Sequence, residues 1–122
     1  MATDALGRNQ LVLTIIADGN LTANHFCAPE ATDGTSAVGT SGAQVGGVVR
    51  DDVSDGKVGD KIVEGTAFVL TSSNLATGAP VACDTGGTAR TATTADVTVG
   101  RALKGTNSGE YAEIHLGNEG IF

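Results

Sequence analysis

Residues Val45–Gly65 read VGGVVRDDVSDGKVGDKIVEG, and residues Val99–Gly117 read VGRALKGTNSGEYAEIHLG. Both stretches open on Val-Gly, run through a short apolar segment, cross a polar loop ending in Gly, and close on an apolar segment that stops at Gly. Short Val- and Ile-bearing runs bounded by Gly, Asp, Ser and Asn are strands joined by turns, because these turn residues break any longer helical period. The copies start 54 residues apart, at Val45 and Val99. This predicts two similar β-meander units, about 45–65 and 99–117, within one β domain spanning 11–122. Two copies are too few for a stacked repeat array.

Working outward, LVLTIIAD from Leu11 is rich in β-branched residues and is stopped by the turn signal Asp18-Gly19-Asn20. ANHFCAPE reads as a second strand ended by Pro29, which has no N–H for a ladder. Residues 31–43, small and polar, read as a loop or irregular hairpin tip. KIVEGTAFVL is a strand with an interruption or bulge expected at Gly65. Ser72 or Ser73 caps one or two turns of helix through Leu75, ended by Gly78. PVACD resumes a strand, and RTATTADVTVGRAL alternates in the period-two manner of one half-buried strand. In EYAEIHLG the same alternation sets Tyr111, Glu113 and His115 on one face and Ala112, Ile114 and Leu116 on the other. The expected fold is all-β, a compact β-sandwich or small barrel of short strands with one short helix at most. Residues 1–10, MATDALGRNQ, lack apolar periodicity and are expected to form an extended N-terminal arm.

The 122 residues are most simply one domain. Its apolar fraction of 40% includes only three Phe and one Tyr, so the core is built from Val, Leu, Ile and Ala. A core with so little aromatic area is thin, and shared burial in an oligomer offsets that. The formal net charge of −7 lacks the basic footprint of a nucleic-acid binder. The longest N-terminal apolar run, Leu11–Ile16, has neither the length of a membrane span nor the basic flank of a signal peptide, so synthesis in the cytoplasm is expected. Cys27 and Cys83 are then expected to be reduced thiols packed as small apolar groups.

Reactive chemistry is sparse. His25, near Cys27, and His115, between Ile114 and Leu116, are explained by strand alternation, and no nucleophile signature surrounds either. Asp51, Asp52 and Asp55 precede Gly56 without the spacing or the distal Glu of a calcium loop, and read as a solvated turn. Cys27, His25 and Cys83 lack a Cys-x-x-Cys pair to support a zinc site. The glycine-rich stretches GGTAR, GTSG and VGG are not followed by the Lys-Ser or Lys-Thr of a phosphate loop. No enzyme, metal or cofactor is expected.

The order QVGGVVRDDVSDGKVGDKIVEGTAFVL, NLATGAPVACDTGG, TVGRALKGTNSGEYAEIHLG, over residues 44–117, resembles the capsid decoration (cement) proteins of tailed bacteriophages. That resemblance implies a structural virion protein, made in the host cytoplasm, that binds the outer surface of an assembled capsid and stabilises it. It also implies the major capsid protein as partner and a homotrimer at local threefold positions, with no direct contact to nucleic acid or membrane. Expected partner contacts are Leu6, Arg8 and Leu11 at one end and Ile121 and Phe122 at the other, where no strand is expected to remain for the last two to join. The rival readings are a major capsid or tail-tube component, disfavoured by the absence of a long helix or extended hairpin, and a secreted carbohydrate-binding or adhesion module, disfavoured by aromatic poverty.

Overall fold

The computed structural model describes residues 10–121, apart from the side chains of residues 118, 119 and 121. The expected arm therefore lies outside the described residues except for Gln10, which opens the first strand. Nine strands follow one another among the described residues: β1 (Gln10–Ala17), β2 (Phe26–Cys27), β3 (Thr35–Ser36), β4 (Gly47–Val49), β5 (Val58–Leu70), β6 (Pro80–Cys83), β7 (Ala89–Thr91), β8 (Val97–Ala102) and β9 (Tyr111–Ile121). The architecture is all-β and closes into a small, nearly complete barrel.

Long β5 organises the molecule. Its first half pairs with β1 and β4, and its second half, from Gly65 onward, pairs with β9. Gly65 sits at φ +94°, a left-handed conformation that glycine adopts without a Cβ penalty, where the strand changes partners. The bulge itself falls two residues earlier: Leu11 faces Glu64 while Val12 faces Ile62, which leaves Val63 unopposed.

Around β5 run two rings of pairing. In the N-terminal ring β1 pairs β5, β5 pairs β4, β4 pairs β2, Cys27 of β2 bridges Val38, and β3 returns in parallel to β1. In the C-terminal ring β5 pairs β9, β9 pairs β8, β8 pairs β6, β6 pairs β7, and Ala89 of β7 returns in parallel to Thr71. The registers coincide at an offset of 54 residues for partners between 12 and 26 and 53 residues for partners between 48 and 62. Val12–Ile62 recurs as Thr66–His115, Phe26–Val48 as Pro80–Arg101, Leu21–Val53 as Leu75–Thr106, and Val48–Ile62 as Arg101–His115. Side chains follow suit: the Asn20 amide oxygen accepts from the Asp55 N–H at 3.0 Å, and that of Asn74 accepts from the Ser108 N–H at 2.8 Å.

Each ring has its own filling. Ile15, Ala17, Leu21, Cys27, Val49 and Val53 occupy the N-terminal one. The larger cluster contains Val69, Leu75, Val81, Ala102, Ala112 and Ile114, and extends to Phe26, Val48 and Ile62. The faces expected for the last strand are observed, with Ala112, Ile114 and Leu116 buried and Tyr111 and His115 exposed.

Three local expectations are corrected. No α-helix follows Ser72: Asn74 and the Thr77 hydroxyl spend their side chains on the Ser108 and Gly105 N–H groups, so Leu75 is held as an isolated bridge to Thr106. The alternating run 90–103 is two strands, because the Asp96 carboxylate accepts the Thr93 N–H at 2.7 Å and Ala95 turns at φ +75°. Loop 31–43 contains β3, which closes the N-terminal ring.

Candidate interaction surface

Outward-facing apolar side chains collect in three places. On β1, Leu11 and Leu13 are 45% and 47% exposed. Farther along the same ribbon, Ile16 stands opposite Val58, the most exposed of the large apolar residues at 67%. On the outer face of β5 and β9, Phe68 lies opposite Glu113 and Tyr111 opposite Leu70, which makes the two aromatic rings diagonal neighbours. Phe68 is 41% and Tyr111 54% exposed. A shallow depression of about 350 Å³ adjoins them, lined also by Lys104, Thr106, Glu110 and Glu113. In a chain so poor in aromatics, spending two of them on the surface is a mark of an interaction face, since buried aromatics dominate binding energy at interfaces.

A cleft of about 200 Å³ opens where the two rings meet, lined by Val45, Gly47, Val63, Val97, Val99 and Leu116 among others. Among the described residues its lining contains no acid, base or nucleophile. The two thiols lie elsewhere and are free and buried. Burial pushes the Cys27 thiol up, with the Lys61 charge opposing; burial and then the Asp84 charge push Cys83 up to about 12. Thiols held in that form are poor nucleophiles and poor metal ligands. His25 approaches the Ala23 carbonyl oxygen through Nδ1 at 2.9 Å. Asp52 and Asp55 accept the Ala23 and Gly19 N–H groups, each at 2.8 Å, which ties the acidic turn to the loop after β1. Among the described residues no three His, Cys, Asp or Glu side chains gather as a metal site.

The densest charged network is structural. Arg90 of β7 holds Asp96 through both terminal nitrogens, donates to the Ser41 hydroxyl at 3.3 Å, and lies 3.5 Å from Asp84 through Nε. Asp84 accepts from Ser72 at 2.6 Å and from the Thr85 N–H at 2.8 Å. The hydrogen bonds from Arg90 and Thr93 hold the Asp96 carboxyl far below the usual carboxylate range.

Of the contact residues expected from sequence, Leu11 lies on the exposed side of β1. Leu6, Arg8 and Phe122 lie outside the described residues. The expectation that Ile121 has no strand to join is corrected: its backbone ends β9, opposite Val97. Phe68 and Tyr111 were not singled out as contacts from sequence; the odd-even alternation around Tyr111 was the available signal.

No protein-family model matches the chain, and no curated protein is similar to it in sequence. Among solved structures, the crystal structure of the N base of the head fiber protein gp8.5 of bacteriophage phi29 matches at a TM-score of 0.74, with 16% sequence identity, over 93% of this chain and 99% of that one. The two share a fold. With nearly all of both chains superposed, the likeness covers both rings and not one of them alone.

Proposed function

We propose that this chain is a structural virion protein of a tailed bacteriophage that binds the outer surface of the assembled head and stabilises it, with the major capsid protein as its partner. The observation that carries the reading is the fold shared, end to end, with the base of a phage head fiber. The N base of a head fiber is a virion part, and an entire chain with that fold suits a structural place on the head. Two features of this chain support it: an outer face bearing Phe68 and Tyr111, and a cleft lined with valine, leucine and glycine that offers contact and no chemistry. The acidic balance of −7 suits a partner made of protein and not of packaged DNA. Copies assemble as a homotrimer at local threefold positions, where shared burial supplements the thin aliphatic core.

The test is co-sedimentation of the purified protein with undecorated heads, together with mass spectrometry of purified particles. Saturable binding at a fixed copy number per head, and presence in the particle, are expected. Heads that sediment without the protein overturn the reading.

A further inference from the structure

We infer, resting on the capsid reading above, that the outer face of β5 and β9 around Phe68 and Tyr111 is the part of this chain that meets the head, and that it takes an arginine side chain presented by the shell protein.

The molecule carries its own control for this aromatic pair. Thr14–Asp60 and Ile16–Val58 in the N-terminal ring are the register counterparts of Phe68–Glu113 and Leu70–Tyr111 in the C-terminal one. Main-chain contacts agree: the Arg50 N–H donates to the Asp60 carbonyl and the Leu103 N–H to the Glu113 carbonyl, each at 3.0 Å. Thr14 and Val58 therefore stand where the C-terminal ring carries Phe68 and Tyr111, and the same strands pair there without an aromatic side chain. The aromatic pair is not needed to build the sheet. Leaving two of the chain's four aromatic side chains half in water forgoes burial that a thin aliphatic core would use, and a partner surface restores it.

Charge selects the partner. Glu113 stands across the ladder from Phe68 and two residues along β9 from Tyr111, so a carboxylate lies at the foot of both aromatic side chains. Exposed Glu110 adds a second carboxylate to the lining of the depression, and Lys104 brings one ammonium against them. The depression is negative, as the whole chain is at −7. A guanidinium is the guest that uses aromatic faces and carboxylates together. It stacks flat on an aromatic face through its weakly hydrated plane and keeps its N–H groups in that plane for carboxylate oxygens. A lysine ammonium, strongly hydrated and without a flat face, gains less. The N-terminal ring already sets a guanidinium at the matching carboxylate, with Arg50 Nη1 4.0 Å from Asp60 Oδ2. In the C-terminal ring the place of Arg50 is taken by Leu103, which adds exposed apolar surface next to Glu113. A carboxylate has about four acceptor sites, so Glu113 takes an arriving guanidinium alongside any donor from its own chain.

The test is co-sedimentation of variants with undecorated heads, each variant's fold checked by its far-ultraviolet spectrum. Phe68→Ala and Tyr111→Ala are each expected to weaken head binding about tenfold or more, as truncating a central aromatic of an interface does. Tyr111→Phe keeps the aromatic face and is expected to bind within about twofold of wild type. Glu110→Gln is expected to weaken binding about threefold and to flatten its salt dependence. Val58→Ala, at the matching place in the N-terminal ring, is expected to bind as wild type does. Heads pretreated with an arginine-selective dicarbonyl, and still intact by sedimentation, are expected to lose the protein, whereas heads with acetylated lysines keep it. Binding that survives both aromatic truncations, that survives the dicarbonyl, or that is lost on lysine acetylation overturns the inference and leaves the capsid reading standing. Heads that take up no wild-type protein overturn both. Sedimentation equilibrium without heads tests the other occupant: if Phe68→Ala and Tyr111→Ala lower self-association, the face belongs to a second copy and the inference is wrong.

Discussion

Replacing Asp96 by Ala removes the acceptor at the centre of the Arg90 network, and the geometry sets the size of the effect. The carboxylate accepts from both terminal nitrogens of Arg90 and from the N–H and hydroxyl of Thr93, with the Asp96 side chain 11% and the Arg90 side chain 20% exposed. Hydrogen bonds to a charged group contribute about 1.5–3 kcal/mol net. Breaking a fully buried pair costs about 3–5 kcal/mol, because the partner left behind stays charged. Arg90 keeps Asp84 at 3.5 Å and some solvent, which puts the loss near the lower end, about 3 kcal/mol. For a chain of this size that is a fall in Tm of roughly 10 °C. The pH dependence gives a second readout. Asp96 titrates below its unfolded value, so its contribution is complete above about pH 4 and is lost as pH falls toward its folded value. Thermal and urea unfolding followed by circular dichroism should therefore show the gap between wild type and Asp96→Ala narrowing below about pH 4. A loss under about 1 kcal/mol at neutral pH, or a gap that persists unchanged to pH 2, refutes the assignment of this network as a main tie between β7 and the turn before β8.

Gly100→Ala is expected to lower stability by about 3 kcal/mol or to prevent soluble expression, since its Cβ would overlap the His115 carbonyl and press on Ile114 across the β8–β9 ladder; an unfolding midpoint equal to wild type contradicts this. Cys83→Ala should cost on the order of 1 kcal/mol by chemical unfolding, as a buried thiol contributes mainly its area, and the protein's mass under non-reducing conditions should show both thiols free. Deleting residues 2–9 should leave the far-ultraviolet spectrum of the remaining chain intact while abolishing co-sedimentation with heads; binding equal to the full chain moves attachment to the body of the fold.

The all-β architecture was legible because period-two alternation is a local signal: Ala112, Ile114 and Leu116 face inward as their spacing demands. The strand break at Ala95 was not, because Thr and Ala alternate equally well through a strand or a turn, and only the reach of the Asp96 carboxylate decides between them. The helix expected after Ser72 failed for a related reason. Ser and Asn suit a helix cap, but Asn74 and Thr77 suit a loop just as well when N–H groups from a distant segment, here Ser108 and Gly105, arrive to be bonded. The paired Asn-Leu at 20–21 and 74–75 was visible as sequence, yet its meaning emerges only from the matching bridges to Val53 and Thr106. For the surface, Leu11 could be singled out as an apolar residue at a strand start.

Attachment to the outside of an assembled head is open to direct test by cryo-electron microscopy of heads mixed with the purified protein. Added density is expected on the outer surface at local threefold positions, in clusters sized for three 12.1 kDa chains, into which the two-ring fold fits. Heads with a bare outer surface at saturating protein, or added density confined to the interior or the tail, contradict it.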